Sequence, residues 1–204
     1  MKMGGGGRAF RHALKCGKVD CMPPWKTLSR HIAFEALPYL RVTREVVEVA
    51  PGTVIEDFWQ VELRFFVVVV PVLTDGRVMV MNGYRHGPRR ECLSMPGGFI
   101  DPGETAEIAA RRELVEEVGL LPQRLIDLGN YVDNGNQRGA HGHYFLALGC
   151  VAGHGQIADV TEAATAEVLR PDAVDAALAQ GRFGVIHHVA GWLLARRHPA
   201  FPAA

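Results

Sequence analysis

The sequence has no long apolar stretch, no excess of either charge and no Cys-x-x-Cys pair. Its longest strongly apolar run, Phe65 to Leu73, falls far short of the ~20 residues that span a bilayer, so no membrane-crossing segment is expected. Lys plus Arg and Asp plus Glu each total 22, a balance that argues against a basic nucleic-acid binder. Cys16, Cys21, Cys92 and Cys150 are too sparse to staple 204 residues and read as reduced cytosolic thiols. No internal repeat is present.

Lysine is missing from most of the chain. Lys2, Lys15, Lys18 and Lys26 are the only four, and the first 30 residues hold seven Lys or Arg against the single acid Asp20. With the Gly4 to Gly7 run and no Ser or Thr before Thr27, residues 1–24 are expected to form a flexible basic tail. Arg11, His12 and Lys15 interrupt the stretch Arg8 to Lys18 where a signal peptide needs continuous apolar residues. A transit peptide would be richer in Ser, so a cytoplasmic location is expected. Met22 is an alternative start.

What the chain does contain is 48% hydrophobic and 22% charged residues, the proportions of one globular domain with a small appendage. Leu40 to Val49 and Thr53 to Leu63 flank Ala50, Pro51 and Gly52 and predict a hairpin within a β module over 25–64. Phe65 to Leu73 is the expected central strand, covered on both faces. Asp75-Gly76 turns it back into Arg77 to Asn82, and a short strand over Glu91 to Met95 leads into Pro96-Gly97-Gly98.

Thr105 to Val118 is expected to be a helix stopped by Gly119, with Ile108, Leu114, Val115 and Val118 as its apolar side. Further strands are expected at His143 to Leu148 and Ala163 to Leu169, and helices at Pro171 to Gln180 and Val185 to Arg197. This is a mixed α/β (α+β) arrangement, with residues 65–198 as the main domain and 199–204 as a C-terminal tail. His141 and His143 alternate on the expected strand, but no third metal ligand stands nearby.

On the helix, Glu113, Glu116 and Glu117 are three and four residues apart and project within one arc of roughly 100°. Such a cluster alone fits a solvated face moderated by Arg111 and Arg112. Its surroundings point elsewhere: Gly98, five residues, Glu104, seven residues, Arg112-Glu113-Leu114, Val115, Glu116-Glu117, Val118, Gly119-Leu120. A hard divalent cation prefers oxygen ligands and binds through carboxylates together with substrate phosphates. A diphosphate would be repelled by three glutamates unless cations intervene. The glycines of Pro96 to Gly103 allow backbone to approach ions and phosphates closely.

The spacing resembles the signature of the Nudix hydrolases. The resemblance implies a Nudix fold, a mixed sheet between helices with the small N-terminal β-hairpin module added, and a bound Mg²⁺ or Mn²⁺. By position it makes Glu113, Glu116, Glu117 and the Gly97 carbonyl metal ligands, Arg112 and Glu116 catalytic, and Gly98, Glu104 and Gly119 structural members of the box. Arg112 would orient the carboxylates and Glu104 would anchor the loop.

Residues 72–90, followed by LSMPGGFIDPGE, resemble the branch that hydrolyses ADP-ribose and other nucleoside diphosphate sugars. There the Tyr84-Arg85 pair resembles an element whose Arg approaches phosphate, with Gly83 where Gln is usual. Arg85, Trp59, Phe99 and Arg138 become the substrate-contact candidates, with Phe58 an alternative to Trp59. Arg138 lies in the polar segment Asp133 to His143, expected as a loop. ADP-ribose hydrolases of the branch often carry a proline shortly beyond the box, where this chain has Gly135 and Asn136.

The general base resembles Glu162, with Asp159 as the substitute. The implied protein is a homodimer acting on a nucleoside diphosphate-linked small molecule, with neither nucleic acid nor membrane as partner. The alternatives are a nucleoside triphosphate pyrophosphohydrolase and a non-catalytic nucleotide-sugar sensor.

Overall fold

The apolar run at residues 65–73 lies in the middle of the molecule. A computed structural model describes residues 24–153 and 164–202. The elements are β1 (Lys26–Ala36), β2 (Leu40–Ala50), β3 (Thr53–Leu63), β4 (Phe66–Leu73), β5 (Val78–Arg85), β6 (Arg90–Ser94), α1 (Ala106–Val118), β7 (Leu120–Leu121), β8 (Arg124–Asn134), β9 (Arg138–Ala152), β10 (Thr165–Leu169), α2 (Pro171–Ala179) and α3 (Ile186–Arg196). The expected tail, apart from its last residue, lies outside the described residues, as do Asp159 and Glu162.

One mixed sheet runs β1-β2-β3-β9-β4-β5-β10, with β6 on β5 and with β7 and β8 on β9. β4 and β9 pair in parallel, as do β3 and β9. Alternation along β4 sends its valines to two separate cores. Val68, Val70 and Val72 join Leu146, Val174, Phe183 and Trp192 beneath α2 and α3. Val67 and Val69 join Ala109, Ala110, Leu114, Phe145 and Ala147 beneath α1. Burial on both faces is why the run shows no polar alternation.

Pro71 sits inside this strand, where a missing N–H usually costs a ladder bond. Here it costs none. The N–H groups of Val67, Val69 and Leu73 all point away from β9, to Gly98 O, Pro96 O and Arg77 O respectively. Pro71 falls between the last two, where β5 departs after its single Val72↔Val78 pairing.

α1 is capped at both ends. Thr105 accepts the Ile108 N–H at 3.2 Å, and Gly119 adopts φ +63, the left-handed geometry that a glycine C-cap permits. The expectation for its apolar side needs correction. Ala109, Ala110, Leu114 and Val118 face the sheet, while Ile108 is 55% exposed. Ile108 lies about 120° around the helix from Leu114, outside that buried stripe.

Three further differences have physical causes. β1 is a third strand of the N-terminal module, but all its residues except Ala36 are exposed, so no buried face marks it, and its pairing with β2 shifts register at Thr27/Ser29 and Ile32/Phe34. The polar segment 133–143 is not a loop: β8 and β9 pair from Arg124↔Leu148 to Asn134↔Arg138, leaving only residues 135–137 as a turn. The stretch 199–204 is not simply a tail, because Phe201 is buried and packs edge-on to Trp192 at 5.6 Å.

β3 carries the module's sheet onto β9 through Val61↔Arg138 and Glu62↔Gly139. Glu62 gathers Arg138 at 3.1 Å, Arg41 at 3.5 Å and Arg30 at 3.6 Å across the junction. Among the described residues no helix is long and apolar enough to cross a membrane.

Candidate active site

The loop after β6 is laid along β4 as if it were another strand. Val69 N–H reaches Pro96 O at 2.8 Å, Val67 N–H reaches Gly98 O at 2.8 Å, and Ile100 N–H reaches Phe65 O at 3.0 Å. In extended backbone the N–H and C=O of one residue point to the same side, and adjacent residues alternate. Gly97 therefore directs both groups away from β4. Its N–H donates to Glu117 Oε2 at 2.7 Å, which turns its carbonyl toward the same acidic side of α1.

Space requires glycine at position 97, and a side chain at position 98 would displace the Glu113 carboxylate. A Cβ on Gly97 would collide with the Val67 carbonyl, and one on Gly98 would collide with the Glu113 carboxylate. The short distance between loop and helix thus depends on residues without side chains.

Arg112 ties this loop to the helix. Its Nε and Nη2 form a fork on Glu104, at 2.9 and 3.0 Å, and Nη2 also donates to Phe99 O at 3.0 Å. Its Nη1 reaches Glu113 at 2.8 Å and Glu116 at 2.9 Å. Planar bidentate geometry of this kind is available to Arg and not to Lys. Glu104, followed by Glu116 and Glu113, holds the guanidinium well above its ordinary range. Arg112, and then the Asp101 N–H, hold the Glu104 carboxyl below its ordinary value.

Glu113 is buried, with 9% of its surface exposed, while the Glu116 side chain is about half exposed. Burying a carboxylate is costly unless it is paired, and Arg112 supplies the pairing. Glu113, Glu116, Glu117 and the Gly97 carbonyl are all hard oxygen donors, as Mg²⁺ or Mn²⁺ requires. Arg112 and the Gly97 N–H engage these carboxylates, and among the described residues no group of three or more His, Cys, Asp or Glu side chains is arranged to hold a metal ion. The donor set and the glycine-lined approach nevertheless fit a partly hydrated divalent cation.

Arg85 lies at the entrance to the loop, its Nη2 donating to the buried Ser94 Oγ at 3.2 Å. Nearby, His188 Nδ1 accepts the Met95 N–H at 3.2 Å. Burial, followed by the charges of Arg85 and His187, pushes the His188 imidazole down to about 3. Neither Ser94 nor His188 carries a local signal: Ser94 meets Arg85 only once β5 and β6 pair, and His188 lies 93 residues from Met95.

Of the remaining candidates, Phe99 belongs to the loop itself, its carbonyl bonded to Arg112, and the others stand elsewhere. Phe99 is 49% exposed, with the Arg64 guanidinium 4.3 Å from its ring centroid. Trp59 is 44% exposed and lies beside Arg44 across the β2–β3 ladder. Phe58, next along the strand, meets Trp25 edge-on at 5.6 Å beside a cavity of about 430 Å³. Arg138 is occupied with Glu62 at the β3–β9 junction and has φ +69. His141 stacks on Phe65 at 4.6 Å, and burial lowers the His143 imidazole. A cavity of about 800 Å³ lies between β8 and α3 and includes Tyr131, Tyr144 and Leu193. It is on the opposite face of the sheet from the glutamates, so its size does not make it the catalytic centre.

Residues 63–189 match the NUDIX domain family. The chain belongs to that family. This NUDIX chain is 39% identical over 57 residues to an ADP-ribose pyrophosphatase of Methanocaldococcus jannaschii, covering 28% of this chain and 33% of that protein. It is 28% identical over 81 residues to an ADP-ribose pyrophosphatase of Bacillus subtilis, covering 40% and 44%. It is also 43% identical over 54 residues to an RNA pyrophosphohydrolase of Dinoroseobacter shibae, covering 26% and 34%. These matches span from a third to less than half of each relative. A crystal structure of an ADP compounds hydrolase superposes with a TM-score of 0.71 at 21% identity, covering 86% of this chain and 94% of the other. That likeness establishes the NUDIX fold as a mixed sheet between helices.

Proposed function

We propose that the protein is a Mg²⁺- or Mn²⁺-dependent pyrophosphatase that hydrolyses the diphosphate of a nucleoside diphosphate linked to a sugar, with ADP-ribose the first substrate to test. The supporting observation is the close seating of the Gly97–Gly98 backbone against Glu113 and Glu117. Glu113, Glu116, Glu117 and the Gly97 carbonyl would hold the cation. When bound, it would neutralise phosphoryl charge and lower the pKa of water.

The chain's own groups supply orientation. Arg112 keeps Glu113 and Glu116 directed to one side of α1 while its fork on Glu104 fixes the loop. Arg85, with its planar set of donors, would receive a phosphate at the loop entrance. Phe99 and Trp59, through their exposed rings, and Arg138 remain proposed substrate contacts, and Glu162, with Asp159 as substitute, the proposed base. We place the enzyme in the cytoplasm as a homodimer paired through its N-terminal module, whose β1 offers a long exposed edge.

Relatives named RNA pyrophosphohydrolase and putative 8-oxo-dGTP diphosphatase favour a second reading, cleavage of a triphosphate. Incubation with ADP-ribose, nucleotide sugars, dinucleotides and triphosphates, each with Mg²⁺ and with Mn²⁺, separates them by products. AMP and ribose 5-phosphate from ADP-ribose are expected. Inorganic pyrophosphate released from a triphosphate, with ADP-ribose left intact, would overturn the first reading in favour of the second.

A further inference from the structure

Met95 stands where the chain changes partners. β6 pairs with β5 as far as Ser94↔Met81, and from Pro96 onward the backbone runs along β4 through Pro96 O and Gly98 O. The Met95 N–H joins neither ladder. Met95 is fully buried, so the donor needs a partner within the protein. Pro96 has no N–H with which to share that anchoring. The partner is His188 Nδ1, on α3, at 3.2 Å.

The loop is consequently gripped from two layers. α1 holds the Gly97 N–H through Glu117 at 2.7 Å, and α3 holds the Met95 N–H two residues earlier. α1 and α3 pack on opposite faces of β4, so the two contacts fix the segment in height and in tilt. An Nδ1 that accepts an N–H belongs to a neutral imidazole with its proton on Nε2. Burial beside Arg85 favours that neutral form.

We propose that His188 is a positioning residue for diphosphate hydrolysis, acting through the Met95 N–H to set where the Gly97 backbone stands against Glu117 and Glu113. The inference rests on the hydrolase reading above. His188 lies far outside the acidic motif in sequence and sits on the other face of β4 from α1.

Two variants of the full chain test it. In His188→Leu the acceptor is gone and a good helix former of similar bulk remains. In His188→Asn, Oδ1 takes the place of Nδ1. Amide hydrogen exchange at Met95 and Gly97 is measured by NMR without added metal, and kcat and KM are measured for ADP-ribose with Mg²⁺. His188→Leu should lose at least ~10-fold of Met95 protection and roughly 10- to 100-fold of kcat, with a smaller change in KM, whereas His188→Asn should stay within about threefold of wild type in both. The role is overturned if His188→Leu keeps its Met95 protection. It is equally overturned if protection falls with kcat unchanged, or if His188→Asn is as impaired as His188→Leu. Should wild-type protein hydrolyse no diphosphate compound, the hydrolase reading fails, while the exchange comparison still decides whether His188 holds Met95.

Discussion

Replacing Arg112 with alanine should be unusually damaging for a residue on a helix surface. Its Glu116 contact is about half exposed and contributes little. Glu104 and Glu113 are different: their side chains keep 12% and 11% exposure, against 27% for Arg112. Removing one partner from a fully buried pair costs about 3–5 kcal/mol. The partial exposure of Arg112 places this case at the low end, about 3 kcal/mol.

For a chain of this size, each kcal/mol moves the melting temperature by roughly 2–4 °C, so a fall of roughly 6–12 °C is expected by circular dichroism at pH 7. Turnover should fall at least ~100-fold as the loop loses its register on α1. Arg112→Lys should recover part of the stability and little of the turnover, because a point charge cannot reproduce the fork. A double-mutant cycle with Glu104→Gln should show coupling of about 1 kcal/mol or more.

The pH dependence has a definite sign. Glu104 has a folded-state pKa below its ordinary 4.5. Its contribution is therefore complete above that value and is lost as pH falls through the lower folded-state value. The gap between wild type and Arg112→Ala should narrow below about pH 4. An unchanged melting temperature at pH 7, or strict additivity in the cycle, would refute the assignment of Arg112 as the tie between loop and helix.

Two other substitutions probe separate parts of the molecule. Glu117→Gln keeps an acceptor for the Gly97 N–H but removes the charge, so the melting temperature should move by only about 2 °C or less while turnover disappears across a Mg²⁺ and Mn²⁺ titration. Near-normal activity at any metal concentration would remove Glu117 from the ligand set. Leu114 is fully buried between α1 and the sheet, and Leu114→Ala should cost about 2–5 kcal/mol in urea unfolding. A cost below about 1 kcal/mol would mean that α1 is not packed as described.

Much of the catalytic half was legible because its signals are local. Thr105 and Gly119 mark the ends of α1, and the spacing of Glu104, Arg112, Glu113, Glu116 and Glu117 places charges on a helix whose geometry is fixed by 3.6 residues per turn. The valines of β4 advertised a doubly covered strand. Other features depend on tertiary context. Ile108 is apolar but lies about 120° around the helix from Leu114, off the stripe of Ala110, Leu114 and Val118 that meets the sheet. β8 was missed because Gly129, Asn130 and the polar end at Asp133 break its pattern, although β9 pairs with it on both sides of a bulge. His188 cannot be connected with Met95 until α3 is folded onto the sheet.

Pro71 gives β4 a division of labour. Upstream of the imino acid its edge receives the glycine-rich segment, and downstream it receives an ordinary antiparallel neighbour. With no donor at the fork, β5 gains nothing by zippering farther, so the two partners share one rim without competing for the same hydrogen bonds. A residue whose usual effect is to interrupt a ladder thereby reserves a berth for the chemistry.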